Sequence, residues 1–361
     1  MSVKKTTGEI QTIIKLSHEF GTPDYVKGGG GNTSVKDEST LWIKPSGTTL
    51  GGLTAEKLVE LDRSKLAAFY GMDAPGDVQQ REAFVKDQMM AAVRKGSQGR
   101  PSVETPLHDS FSATFVVHTH TTLVNGMTCG CRGEEACREL FPDALWIPYA
   151  DPGYVLSLKV HAEIESYRTE HGREPAVVFL ENHGLVVAGN TAEEIRSLHS
   201  MIMDRMRQVY RDNNIETELV LGEEPASEAS NVVSLVAESV PALQGSSVKV
   251  SGKFSVPEGP ISPDHIVYSK AYPLKDEPCL ESFAYFKRRQ GYYPQVVEWD
   301  QGVFGLGATE QKAALALELA QDGALIEQLA PAFGGVRYLS DEARDFIDNW
   351  EVEAFRRDVK I

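Results

Sequence analysis

The segment Thr114 to His120, Thr-Phe-Val-Val-His-Thr-His, constrains this chain more than any other. A short apolar run rich in β-branched and aromatic residues predicts a strand. Alternate side chains of a strand share a face, so His118 and His120 project together, with Thr119 opposite. Two imidazoles side by side on a buried strand are unfavourable unless a cation holds both, and neutral imidazole is a common zinc ligand. Ordinary core or surface histidines are the alternative.

Two further residues belong with this pair. His183 lies in Asn182-His183-Gly184, directly after an apolar run at 176–181 that reads as a second strand. A histidine in a tight turn at a strand end is placed to project into a cleft; a turn histidine bonded to backbone is the alternative. Glu104 lies in Arg100-Pro101-Ser102-Val103-Glu104-Thr105-Pro106-Leu107-His108. There Ser102 or Thr105 can cap a helix that tolerates Pro106 in its first turn. Glu104 is then either a carboxylate facing the helix dipole or a group that ligates a metal or moves a proton.

A glycine-rich segment runs from Gly28 to Ser34. Glycines let backbone N–H groups approach an oxyanion, and Asn32, Thr33 and Ser34 add side-chain donors. No Gly-Lys-Ser/Thr ending follows, so it is not a P-loop, nor does it match the dinucleotide fingerprint. A flexible loop is the alternative. Lys44-Pro45-Ser46-Gly47 forms a second donor-rich turn, and with Ser102 these segments can surround a phosphate or carboxylate.

Charge narrows the partners. The 361 residues carry a formal net charge of −16, which repels nucleic acid and anionic membranes. No apolar run of about 18 residues exists to span a bilayer. The N-terminus reads as an amphipathic helix capped at Thr6 and Glu9, with Ile10, Ile13, Ile14 and Ser17 at helical spacing, and not as a signal peptide. Cys129, Cys131, Cys137 and Cys279 read as reduced thiols of a cytoplasmic protein; Cys129-Gly-Cys131 lacks the gap of usual zinc pairs.

Length suggests two domains at roughly 150 residues each. The pattern up to residue 222 alternates strands (41–44, 114–120, 176–181, 185–188) with helices, including one capped by Thr191 and Glu194 and running to about Asp212. Residues 221–232 read as an exposed connection and 244–263 as turn-rich. A smaller α/β domain is expected at 235–361, with strands at 265–269 and 295–299 and helices at 309–330 and 340–355.

Taken in order, Gly30 to Ser34, Ile43 to Gly47, Pro101 to Glu104, His118-Thr119-His120 and Asn182-His183-Gly184 resemble the class II aldolase/adducin superfamily. Trp146 to Gly153 resembles the aldolase part of rhamnulose-1-phosphate aldolase/dehydrogenase fusion proteins. The segments 265–270, 302–307 and 350–353 are similar to the stretch that follows it there. The chain ends where the dehydrogenase domain of those fusions would begin, so no nicotinamide chemistry is expected. The resemblance implies an αβα-layered domain with a central, mostly antiparallel sheet. It implies His118, His120 and His183 as ligands of a divalent metal, usually Zn2+, and Glu104 as acid/base. Gly31, Asn32, Thr33, Ser46, Gly47 and Ser102 would bind the substrate phosphate. A homo-oligomer, commonly a tetramer, is implied. Simpler members carry a tyrosine acid past an Ile-Pro stretch; here Pro152 falls near that place, flanked by Tyr149 and Tyr154.

The expected reaction is reversible cleavage of a ketose phosphate, such as rhamnulose 1-phosphate, into dihydroxyacetone phosphate and an aldehyde. Glu104 would move the proton, its pKa raised toward neutrality by burial and opposed by the cation. Epimerase, dehydratase or decarboxylase activity on the same site is an alternative. So is a non-catalytic adducin-like binding module. A dinucleotide site around Gly302–Gly307 is a third idea, with glycine spacing unlike the fingerprint.

Overall fold

A computed structural model describes residues 2–223 and 227–350, the side chains of 2–6 and 227–229 excepted. The described residues divide into two compact units, 2–124 with 134–206, and 125–133 with 207–350. The chain is mixed α/β, with a mostly antiparallel sheet in each unit.

The first unit holds seven strands: β1 (Asn32–Lys36), β2 (Thr40–Ile43), β3 (Val59–Asp62), β4 (Phe115–Thr119), β5 (Leu145–Ile147), β6 (Val177–Leu180) and β7 (Gly184–Gly189). They lie in the order β3-β2-β1-β4-β7-β6-β5, and only β5–β6 is parallel. β1, β4, β6 and β7 are buried along their whole length, because both sheet faces are covered. On one face Leu156, Val160 and Ile164 of the helix Tyr154–His171 pack with Val116, Val178, Leu180 and Val186. On the other the helix Ser2–Glu19 joins β1, where Ser17 Oγ meets Thr33 Oγ1 at 2.7 Å.

Strand directions decide where function can gather. Asn32 pairs with His118, Thr119 with Leu185, Leu180 with Gly184, and Ile147 with Leu180. The C-terminal ends of β4, β6, β5 and β2 and the N-terminal end of β1 therefore emerge at one end of the sheet. An isolated bridge from Pro45 to Pro101 brings the segment before Glu104 to that same end.

The second unit has four strands, β8 (Ser247–Ser251), β9 (Leu274–Lys275), β10 (Val296–Trp299) and β11 (Gly302–Gly307), in the order β8-β11-β10-β9. The helix Glu310–Leu329 packs on β11 through glycine: a Cβ at Gly305 or Gly307 would lie 2.4 Å from backbone atoms of Ala313. The Gly302–Gly307 spacing thus serves a strand under a helix and forms no phosphate loop.

Several expectations change. Residues 265–268 are helical, not a strand: Pro263–Tyr268 is a helix with Ser262 at its N-cap position, Pro263 in its first turn and Ser269 as its C-cap. A short apolar run cannot distinguish a buried strand from a buried helix by periodicity. The turn-rich stretch contains β8, and the exposed connection contains the start of the helix Ser227–Ser239. The N-terminal helix begins at Ser2, so Thr6 lies inside it. The last helix is Asp341–Asn349, with Ser340 accepting from the Ala343 N–H; residues 351–355 of the expected helix lie outside the described ones. Among the described residues no helix is long and apolar enough to cross a membrane.

Candidate metal centre

His118 points off β4 onto the same face as Asn32, its cross-strand partner. Its Nδ1 lies 3.0 Å from the carbonyl oxygen of Leu185. A carbonyl only accepts, so Nδ1 carries the proton and the Nε2 lone pair is left facing the site. His120 stands one residue past the strand, its backbone N–H donating to Tyr25 O at 2.9 Å. His183 is placed by the β6–β7 turn. Asn182 adopts a φ of 51°, and Gly184 is required because a Cβ there would sit 2.4 Å from Thr119 O and 3.0 Å from the His120 ring.

The three rings converge. His118 Nε2 is 2.9 Å from His120 Nε2 and 3.3 Å from His183 Nε2. Glu104 Oε1 lies 3.2 Å from His118 Nε2 and 3.5 Å from His183 Nε2. Among the described residues this is the one group of three or more His, Cys, Asp or Glu whose ligand atoms all lie within 4.8 Å of one another. Three imidazole nitrogens aimed at each other, with a carboxylate beside them, gather their donor atoms around one point. One divalent cation accepts from all three, so the donor set fits a metal.

Burial pushes the Glu104 carboxyl up, but the neighbouring imidazoles of His118, His183 and His108 outweigh it and hold the carboxyl well below the usual carboxylate range. For Glu104 this direction is opposite to the rise toward neutrality that the sequence reading expects. Its backbone N–H donates to Ser102 Oγ at 3.2 Å, and Thr105 Oγ1 donates to Ser102 O at 2.6 Å. Ser102 thus fixes the start of the helix Thr105–Asp109 that carries Glu104 at its N-cap position.

The donor-rich segments meet beside the rings. Gly31 has φ +69°, and a Cβ there would sit 2.8 Å from His118 O, so the glycine segment lies directly against the histidine strand. The segment ends sooner than expected, since Asn32, Thr33 and Ser34 belong to β1. Asn32 is buried, with Oδ1 accepting from the Thr33 N–H at 2.8 Å. Thr33 points to the opposite face and spends its hydroxyl on Ser17, so its side chain is turned away from the imidazoles. Half-buried Ser46 and Gly47 lie in the turn after β2, where the Ser46 N–H donates to Arg100 O at 3.0 Å and Gly47 has φ 78°. Lys44 Nζ crosses from Thr48 O (2.7 Å) toward Gly29 O (3.4 Å).

The two tyrosines separate. Tyr154 is buried in an apolar cluster with Phe69, Val85 and Met89, its ring edge-on to Phe69 at 5.4 Å. Tyr149 follows β5 at the site end of the sheet, and its phenol donates to Asp151 Oδ1 at 3.3 Å.

Sequence reasoning passed over three groups. His108 is fully buried, with Nδ1 2.8 Å from Ser34 Oγ, and burial pushes its imidazole down to about 3. Its one signal was a histidine four residues after Glu104. Lys36 is buried on β1, donating to His108 O (2.6 Å) and Phe111 O (2.8 Å); burial lowers it to about 7. Asp151 is half-buried, and burial raises its carboxyl.

Residues 11–210 match the family described as class II aldolase and adducin N-terminal domain. The chain is 25% identical over 300 residues to "Uncharacterized oxidoreductase YuxG" of Bacillus subtilis, covering 73% of this chain but only 42% of that protein. It is 27% identical over 190 residues to 3-oxo-tetronate 4-phosphate decarboxylase of Haemophilus influenzae (50% of this chain, 76% of that one). It is 24% identical over 186 residues to L-fuculose phosphate aldolase of Methanocaldococcus jannaschii (49% and 82%). A solved class II aldolase domain from Thermoplasma acidophilum superposes with TM-score 0.48 at 25% identity, over 55% of this chain and 92% of that one. With more than half its length inside the family match, this chain belongs to the class II aldolase and adducin family.

Proposed function

We propose that the chain is a metal-dependent aldehyde-lyase that reversibly cleaves a ketose 1-phosphate, of the rhamnulose 1-phosphate type, into dihydroxyacetone phosphate and an aldehyde. The observation that carries this reading is the meeting of three imidazole nitrogens with the Glu104 carboxylate beside a segment rich in backbone donors. His118, His120 and His183 would hold the divalent ion, Zn2+ in the first instance. A cation bound there by neutral ligands would keep its full charge and supply Lewis-acid chemistry. Glu104, ionised and fixed by Ser102, takes a proton from the donor carbon and returns it. Backbone N–H groups of Gly28, Gly29 and Gly31, with the Asn32 side chain, the Ser46 hydroxyl and Gly47, would receive the phosphate, so that binding energy remote from the reacting carbon orients it. Leu185 O keeps the His118 ring in one tautomer and one orientation throughout.

The test is metal content together with donor proton exchange. Purified protein should hold about one divalent ion per chain. The Glu104→Gln variant should keep it while losing solvent exchange of the dihydroxyacetone phosphate proton. Undiminished exchange removes Glu104 from this role, and a metal-free, inert protein favours the binding module.

A second reading has its own support: the Haemophilus influenzae relative is named a decarboxylase. Decarboxylation, epimerisation and dehydration all pass through an enolate that the same residues would stabilise. Product analysis with rhamnulose 1-phosphate, fuculose 1-phosphate, ribulose 5-phosphate and a 3-oxo sugar-acid phosphate separates them.

A further inference from the structure

We propose that His108 is a positioning residue for the Glu104 carboxylate, acting through the bond that ties its ring to Ser34 of β1. This rests on the aldolase reading and adds to it the group that keeps the proton-moving carboxylate at the imidazoles.

The first argument is that Glu104 cannot place itself. It stands at the N-cap position of the helix Thr105–Asp109, which has only five residues, and its side chain makes no cap bond. A helix this short is marginal alone, because nucleation outweighs what one turn contributes. Its position comes from the groups that grip it. The Tyr70 phenol donates to Pro106 O at 2.5 Å, and Arg63 Nε donates to Asp109 Oδ1 at 2.6 Å. The buried Lys36 ammonium donates to the carbonyls of His108 and Phe111. The His108 ring reaches β1 directly, with Nδ1 2.8 Å from Ser34 Oγ.

The second argument is registry. Asn32 pairs with His118, and Ser34 pairs with Val116. Alternate strand residues share a face, so Ser34 lies on the His118 face, roughly 7 Å along β1 from Asn32. On the helix, the His108 N–H donates to Glu104 O at 3.0 Å, so the two residues stand one turn apart on one side. Rotation of the short helix would carry both side chains away together. The bond to Ser34 blocks that rotation, and Glu104 Oε1 stays 3.2 Å from His118 Nε2 and 3.5 Å from His183 Nε2.

The third argument is chemical. His108 is fully buried, and its Nε2 has no hydrogen-bond partner among the described residues. An unsatisfied buried polar atom costs about 1–3 kcal/mol, which an apolar side chain in the same space avoids. What imidazole adds there is the Nδ1 contact with Ser34. Burial pushes the ring down to about 3, so it stays neutral and the link persists at neutral pH.

The experiment joins crystallography to donor proton exchange in His108→Leu and His108→Asn. Asparagine sets an amide where Nδ1 stood and can still meet Ser34 Oγ, whereas leucine cannot. In the leucine variant Glu104 Oε1 should move by about 1 Å or more from its place beside His118 Nε2. Exchange of the dihydroxyacetone phosphate proton should fall about 100-fold in kcat. The KM for that ketone and the metal content should stay within about 2-fold. The asparagine variant should return exchange to within about 10-fold of wild type. Where the leucine variant does not fold, Ser34→Ala removes a single oxygen and carries the same expectations. An undisplaced carboxylate, or an equal loss in the leucine and asparagine variants, overturns the proposal. Wild-type protein that exchanges no donor proton, while the variant still shifts the carboxylate, overturns the aldolase reading and leaves the positioning role standing.

Discussion

Two buried histidine sites, one in each unit, treat the imidazole in opposite ways. In the second unit His265 Nδ1 lies 2.7 Å from Ser262 Oγ, and its Nε2 lies 3.3 Å from Asp322 Oδ2, so hydroxyl and carboxylate flank the ring on its own chain. In the first unit three rings turn their Nε2 atoms on one another. A buried imidazole flanked by a hydroxyl and a carboxylate is architecture; three that confront each other form a donor set that a cation would fit. The residue type is the same, and the neighbours decide.

The largest expected effects test that division directly. His118→Ala should cost about 10³-fold or more in turnover and lower the bound metal. His265→Ala should leave metal content unchanged and lower unfolding free energy by about 3 kcal/mol. Metal analysis and urea melts on the two variants side by side check both, and loss of metal from His265→Ala breaks the contrast.

Acid sharpens it next. His199 is buried against Phe20, with Nδ1 2.9 Å from Ile195 O, and burial lowers its pKa from 6.5 to about 4. The folded state keeps this ring neutral while the unfolded chain takes up a proton. Stability present above pH 6.5 is therefore lost as pH falls toward 4, by up to about 3 kcal/mol. Denaturant melts between pH 4 and 8 should show this slope, and His199→Leu should flatten it.

Two glycines give a smaller matched pair. A Cβ would meet a carbonyl oxygen at 2.4 Å at both Gly184 and Gly305. Alanine at either should cost about 1–3 kcal/mol of stability. Only Gly184→Ala should also weaken metal affinity in a chelator titration, since it alone displaces an imidazole. The smallest change expected is about 1 kcal/mol for Thr309→Ala, which removes the acceptor for the Lys312 N–H at a helix start; thermal melts should register it with activity intact.

The imidazole cluster was legible in the sequence because its rules are local. A strand period puts His118 and His120 on one face, and a turn after an apolar run exposes His183. The helix at Pro263 was not legible, since its apolar run is too short to declare a period. Nor was β1, because Asn-Thr-Ser-Val-Lys looks polar until both sheet faces are seen to be covered. The surroundings of Thr33 and Tyr154 were not legible for a related reason. Spacing places a residue on an element, but only packing reveals that Ser17 and Phe69 occupy those side chains.

The short edge strand β5 has a practical meaning for anyone wishing to retool this protein. Three residues hydrogen-bonded along one side anchor the segment that runs on to Asp151, whereas the histidine strand is zipped between two neighbours. Libraries confined to 148–152, with Gly153 kept for its φ of 89°, can therefore be varied while the interior register stays locked, making the outer rim of the sheet the natural place to teach the protein a new partner.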